Sequence, residues 1–137
     1  MNQFGNLEII TLAHFQISKL KKMQGNKENI IVQKSFEFAL KIIEYCEQLE
    51  VLKKYVIARQ LLKSGTSIGA NIREAQNAES KADFIHKMKI SAKEADETEY
   101  WLFLCHNSKN YPNCGQLQDE CKELILILSK IISTSKK

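Results

Sequence analysis

Both arginines of this chain, Arg59 and Arg73, fall with Lys63 on one side of a single helical pattern, and no acidic residue occurs from Val51 to Arg73. Projected at 100° per residue, the three cations share a face, with Thr66 and Ala70 between them. A guanidinium holds phosphate oxygens through two parallel hydrogen bonds, and an ammonium holds them as a point charge. The chemistry this face offers is therefore contact with a polyanion backbone, with Lys53, Lys54 and Lys81 as outer helpers. The plain alternative is a solvated outer face with no ligand.

Other reactive side chains give less. Glu99 falls in the middle of an apolar seam, where a lone carboxylate would be costly to bury. Ser67 and Asn71 are the partners of matching polarity, so the pattern predicts a polar layer of Ser67, Asn71 and Glu99. No second acid, base or nucleophile can be assigned beside Glu99, which argues against general acid–base catalysis. Cys46, Cys105, Cys114 and Cys121 form no C-x-x-C pair, and no histidine pair has zinc-finger spacing. No metal site is expected. Cys46 and Cys121 lie on apolar stripes and read as reduced thiols of a cytoplasmic protein. His86 and His106 read as isolated surface or interface residues. With no P-loop, no carboxylate cluster and no nucleophile–base grouping, the chain is expected to be no enzyme and to need no cofactor.

The elements that must carry these residues are helices. The 137 residues fit one domain, and 44% hydrophobic with 26% charged residues is an ordinary globular balance. One proline and five glycines are too few for a sandwich or barrel, which needs a turn every few residues. The net charge of +4 comes from 18 lysines and two arginines against 16 acids, a mild excess compatible with an anionic partner.

Four helical patterns follow one another. The first, from Asn29 to about Leu52, carries a heptad seam at Val32, Phe36, Ala39, Ile43 and Cys46. Beside it runs a second seam of Ile31, Phe38, Ile42, Tyr45, Leu49 and Leu52. The next runs from about Lys54 to Gln76, with Leu61, Gly65, Ile68, Gly69 and Ile72 on one side. Each glycine there costs the helix about 1 kcal/mol relative to alanine. The deficit is tolerable where another helix lies close against the small face. The third pattern, about Ser80 to His106, opens on a Ser80–Asp83 capping signal and has Ile85, Met88, Ala92, Ala95 and Leu102 inward. After Pro112 and Gly115 a fourth runs from about Gln116 to Ser133 on Leu117, Cys121, Leu124, Leu128 and Ile131. Short links between long helices predict an all-α, antiparallel up-down-up-down four-helix bundle.

On the third helix Ile90, Trp101 and Leu104 cluster with Glu97 away from the inward seam. Large apolar residues outside a bundle call for a partner, and a second copy of the same chain is the simplest one. Residues 1–25 form an N-terminal extension to a bundle spanning 26–137. The run Leu7–Phe15 is apolar, but its lysines (Lys19, Lys21, Lys22) follow it, the reverse of a signal peptide. No span suits a membrane helix. Met23 directly precedes the polar stretch before the first strong pattern, which raises the expectation of a natural start there, with a short extra helix as the alternative.

The segments Asn29-Ile-Ile-Val-Gln-Lys-Ser-Phe-Glu-Phe-Ala39, Ser64-Gly-Thr-Ser-Ile-Gly-Ala-Asn-Ile-Arg-Glu-Ala75, Asp83-Phe-Ile-His-Lys-Met-Lys-Ile90 and Glu94-Ala-Asp-Glu-Thr-Glu-Tyr-Trp-Leu102 resemble the bacterial four-helix-bundle proteins encoded in 23S rRNA intervening sequences. The resemblance covers about residues 26–134. It implies a small cytoplasmic bundle assembled as a homo-oligomer, a pentamer in the form associated with the family, and no enzymatic activity. A related branch, the accessory variability proteins of diversity-generating retroelements, is basic and binds nucleic acid. The motif residues Ser67, Asn71, Glu74, Glu97 and Glu99 are present and read as packing and polar-layer residues. The expected function is a non-enzymatic accessory protein that binds RNA or DNA. Basic stripes repeated around an oligomer would add their phosphate contacts. A protein-interaction scaffold without affinity for nucleic acid is the alternative.

Overall fold

The computed structural model describes residues 27–137. The Met23 start and the extension before it lie outside those residues. Four helices follow in order: α1 Lys27–Val51, α2 Tyr55–Ala75, α3 Lys81–Asn107 and α4 Gly115–Ser135. Each packs on its chain neighbours, and α1 closes the ring against α4. Side-chain pairs fix the directions. Ser64 meets Thr98 while Ser91 reaches Ile68, and Lys34 meets Glu123 while Lys41 meets Glu120. Numbers rise on one helix as they fall on the next, so the fold is the antiparallel up-down-up-down bundle the spacing predicts.

The small face of α2 explains how closely α1 lies against it. A methyl group added at Gly65 would sit 2.8 Å from Ile42 Cγ2, and one at Gly69 would sit 3.3 Å from Ser35 Oγ. Neither glycine has a positive φ. They are there for space, and the close approach offsets their poor helix propensity.

One seam of α1 is corrected. The core takes Ile31, Phe38, Ile42, Tyr45 and Leu49, the second seam, with Cys46 as the only buried member of the first. Phe36 is 56% exposed and Ile43 37%, because α1 has neighbours on two sides only and the first seam points past α2. Leu52, in the turn, is also exposed.

The turns follow their sequences. α1 ends with Lys53 at φ 63°, Lys53 N–H donating to Glu50 O at 2.9 Å and Lys54 N–H to Leu49 O at 2.8 Å. This is a Schellman ending with lysine in the left-handed position where glycine is usual. Ser80 caps α3 by accepting from Asp83 N–H at 3.0 Å, as the capping signal predicts, while Asp83 accepts from Glu79 N–H at 3.2 Å. Asn110, also left-handed, sits in the α3–α4 connection, where asparagine tolerates that conformation.

Candidate nucleic-acid interface

The inward residues of α2 decide where its cations go. Ala58, Leu61, Ser64, Gly65, Ile68, Ile72 and Ala75 are buried, so Arg59, Lys63 and Arg73 are carried to the opposite, exposed side. Arg59 and Lys63 stand one helical turn apart. Arg73 lies about 15 Å further along at 1.5 Å per residue, with Thr66 and Ala70 forming a low stretch between. Glu74 borders Arg73 and is taken up by Lys87 at 3.3 Å.

The outer helpers do not join them in one cluster. Lys53 projects from the α1–α2 turn, and Lys54 holds its Nζ 5.2 Å from the centre of the Tyr111 ring, drawn toward the α3–α4 connection. Lys81 is exposed at the start of α3, at the far end of α2. The arrangement is a line along the bundle. It suits a linear polyanion better than a compact anion. Sequence reasoning missed two neighbours on this side: Tyr55, 51% exposed, and Val56, 69% exposed. Tyr55 precedes Arg59 by one turn, a spacing that could have flagged it.

Across from Lys63 stands Glu94. Burial raises its carboxyl pKa, the negative charge of Glu97 adds to the rise, and Lys63 opposes it. The interior polar contacts differ from the expected layer. Ser67 donates to Lys63 O at 2.6 Å and Asn71 to Ser67 O at 2.8 Å, both within their own helix. Glu99 is half-buried on the α4 side of α3, in a shallow pocket with Asp96, Tyr100, Phe103, Gln118 and Lys122. The buried polar residues are Ser35, Ser64, Ser91 and Thr98 instead. Ser91 donates to Ile68 O at 2.8 Å. Thr98 Oγ1 lies 2.9 Å from Ser64 Oγ and donates to Glu94 O at 2.7 Å. Hydroxyls win these positions because each can bond a helix carbonyl without carrying charge into the core.

The expected oligomer residues are also less open than their spacing implied. Ile90, Trp101 and Leu104 are half-buried, Trp101 packing against the core, while Glu97 is exposed and 3.4 Å from Trp101 Nε1. More exposed are Tyr100 and Phe103 on α3, Leu126 on α4, and the row of Phe36, Leu40 and Ile43 along α1.

All four cysteines are free and buried. Burial pushes the Cys46 and Cys121 thiols up to about 12 and Cys105 to about 11, the reverse of an activated nucleophile. Cys114 and Cys121 donate to helix carbonyls at 3.4 Å each. Among the described residues no cluster of histidine, cysteine or carboxylate has the geometry to hold a metal ion, and no helix is long and apolar enough to cross a membrane.

A family model described as 23S rRNA-intervening sequence protein matches residues 27–130. Among solved structures, the chain is similar to a protein of unknown function from the S23 ribosomal protein family of Bacteroides thetaiotaomicron. The two are 43% identical, with a TM-score of 0.74 over 78% of this chain and 98% of that one. No curated protein matches it at a significant level.

Proposed function

We propose, for a chain that belongs to the family of 23S rRNA-intervening sequence proteins, a non-enzymatic role as a self-associating bundle that binds RNA or DNA through the outer face of α2. The observation that carries this reading is the exposed line of Arg59, Lys63 and Arg73, on which both arginines of the chain fall and before which α2 holds no acidic residue. Guanidinium and ammonium groups spaced along a straight helix meet successive phosphates of an extended backbone without needing a base-specific pocket. Binding of this kind is set by counterion release, so it weakens steeply with salt. The four free, buried thiols suit a reducing cytoplasm.

A protein scaffold is the second reading. The exposed aliphatic and aromatic side chains of α1 favour it, since they offer nothing to a phosphate backbone.

The test is fluorescence anisotropy of labelled single-stranded RNA, RNA duplex and DNA duplex over a salt series. Micromolar binding with a log-linear salt dependence is expected. Arg59→Glu with Lys63→Glu should weaken it for every sequence and flatten the salt slope by about two. Unchanged binding by that double variant would remove the α2 face from consideration, and no binding at low salt would leave the scaffold reading.

A further inference from the structure

We propose that the α2 face is a site for single-stranded nucleic acid, in which Tyr55 stacks an unpaired base while Arg59, Lys63 and Arg73 hold the phosphates beyond it. This rests on the nucleic-acid reading above and adds to it the strandedness of the ligand and a residue that contacts a base.

The exposed aromatic side chains differ in their surroundings. Among the described residues Phe36, Tyr55, Tyr100 and Phe103 are 56%, 51%, 56% and 57% exposed. Phe36 continues into Leu40 and Ile43, a row with no cation in it. Tyr100 and Phe103 share their pocket with Asp96 and Glu99, whose charge repels phosphate, and Tyr100 already packs on Trp101 at 5.6 Å. Tyr55 alone leads into a line of cations. It is the first residue of α2, one turn before Arg59. At 100° per residue Tyr55, Arg59, Lys63, Thr66, Ala70 and Arg73 fall within an arc of about 80°. The Tyr55 ring enters neither an aromatic pair nor a cation contact among the described residues. Tyr111 is the contrast: it is half-buried, and the Lys54 ammonium already lies over its ring.

The charge at this end favours a strand. α2 opens without a side-chain cap and with no acid in its first turn, so the positive end of its dipole adds to Lys53 and Lys54 beside Tyr55. From Tyr55 the cations continue along the helix axis, Arg59 about 6 Å and Arg73 about 27 Å away. An aromatic ring at the head of a basic track is the arrangement that binds single strands, because every unpaired base has a π face to offer. A duplex has no such face free. Nor does α2 project as a recognition helix does, since α1 and α3 pack on either side of it. Charge alone would favour the duplex, whose phosphates are denser along its axis. A preference for the single strand is therefore the mark of stacking.

The experiment is fluorescence anisotropy of the full chain over a salt series with four labelled probes: oligouridylate, an abasic strand of the same length, oligodeoxyuridylate and an RNA duplex. The variants are Tyr55→Ala, Tyr55→Phe and Arg59→Glu with Lys63→Glu, each shown by circular dichroism to keep its helices. Wild type should bind oligouridylate more tightly than the abasic strand or the duplex. Tyr55→Ala should weaken oligouridylate binding at least about fivefold, the lower end for loss of one base stack. It should leave the abasic strand unaffected and the salt slope unchanged, because no phosphate contact is lost. Tyr55→Phe keeps the ring and should bind as wild type does. Oligodeoxyuridylate should behave like oligouridylate, since stacking does not use the 2′-hydroxyl. Oligouridylate binding unchanged in Tyr55→Ala, an equal loss on the abasic strand, a duplex bound more tightly, or a need for the 2′-hydroxyl would each overturn the stacking site and leave the phosphate reading in place. No binding by wild type at low salt, or unchanged binding by the double charge variant, would overturn both.

Discussion

The inner faces of α1 and α2 are fitted to each other, while their outer faces diverge. Inside, Ile42 fills the space above Gly65 and Ser35 the space above Gly69, so that neither helix could be changed without the other. Outside, α1 shows Phe36, Leu40 and Ile43 beside glutamates, and α2 shows arginine and lysine around small residues. Packing density governs the first pair of faces and tolerates little variation. Charge and partners govern the second. The lesson is that an apolar heptad seam alone does not identify a core-facing side. α1 has two such seams, and only the one closed by both α2 and α4 is buried.

The sharpest way to test this contrast is to truncate one residue from each seam of α1. Ile42→Ala should destabilise the fold by about 2–5 kcal/mol, the range for a fully buried aliphatic, whereas Phe36→Ala should stay within about 0.5 kcal/mol in the monomer. Urea unfolding of both variants at low protein concentration reads the difference, and similar losses would mean that both seams are equally buried.

Alkaline unfolding probes the inner side further. Folded Cys46, Cys105 and Cys121 hold their protons up to about 12, 11 and 12, against an ordinary thiol value of 9.0, because burial penalises the thiolate. A raised pKa gives stability that is complete below the unfolded value and is lost as pH rises through the folded one. The urea midpoint should therefore fall between about pH 9 and 12. Replacing Cys46 and Cys121 by alanine should flatten that fall, and an unaltered slope would show that the thiols are not its source.

The smallest effect concerns the turn that joins the two helices. Lys53 holds φ 63° in the Schellman ending, so Lys53→Gly should raise stability by about 1 kcal/mol. Because glycine also removes a charge, Lys53→Asn separates the two effects: it should recover part of the gain, whereas no gain from either variant would mean the left-handed residue carries no strain.

Much of this is legible in the sequence. The inward side of α2, the Ser80 cap and the antiparallel order of the helices follow from periodicity, capping chemistry and short connections. The cations of α2 were placed on its outer side by the same periodicity, and they are exposed there. What failed was the ranking of faces and polar residues. Glu99 occupies a seam position by projection, yet a rotation smaller than one residue's step kept Met88, Ala95 and Leu102 buried, brought Thr98 and Ser91 inside and left the carboxylate at the edge of the core. A projection cannot resolve that difference, because adjacent residues differ by 100° and an inward face is wider than that.

The sequence by itself determined the bundle. Four amphipathic runs with turn signals between them have few other ways to bury their apolar faces, and two glycines on one helix demand a close neighbour. Only the tertiary structure decided which seam of α1 the core would take and which hydroxyls would be buried. It also decided which apolar side chains would be left uncovered. Those outcomes depend on how many neighbours each helix has and how it is rotated against them, a property of all four helices together that no single run of residues encodes.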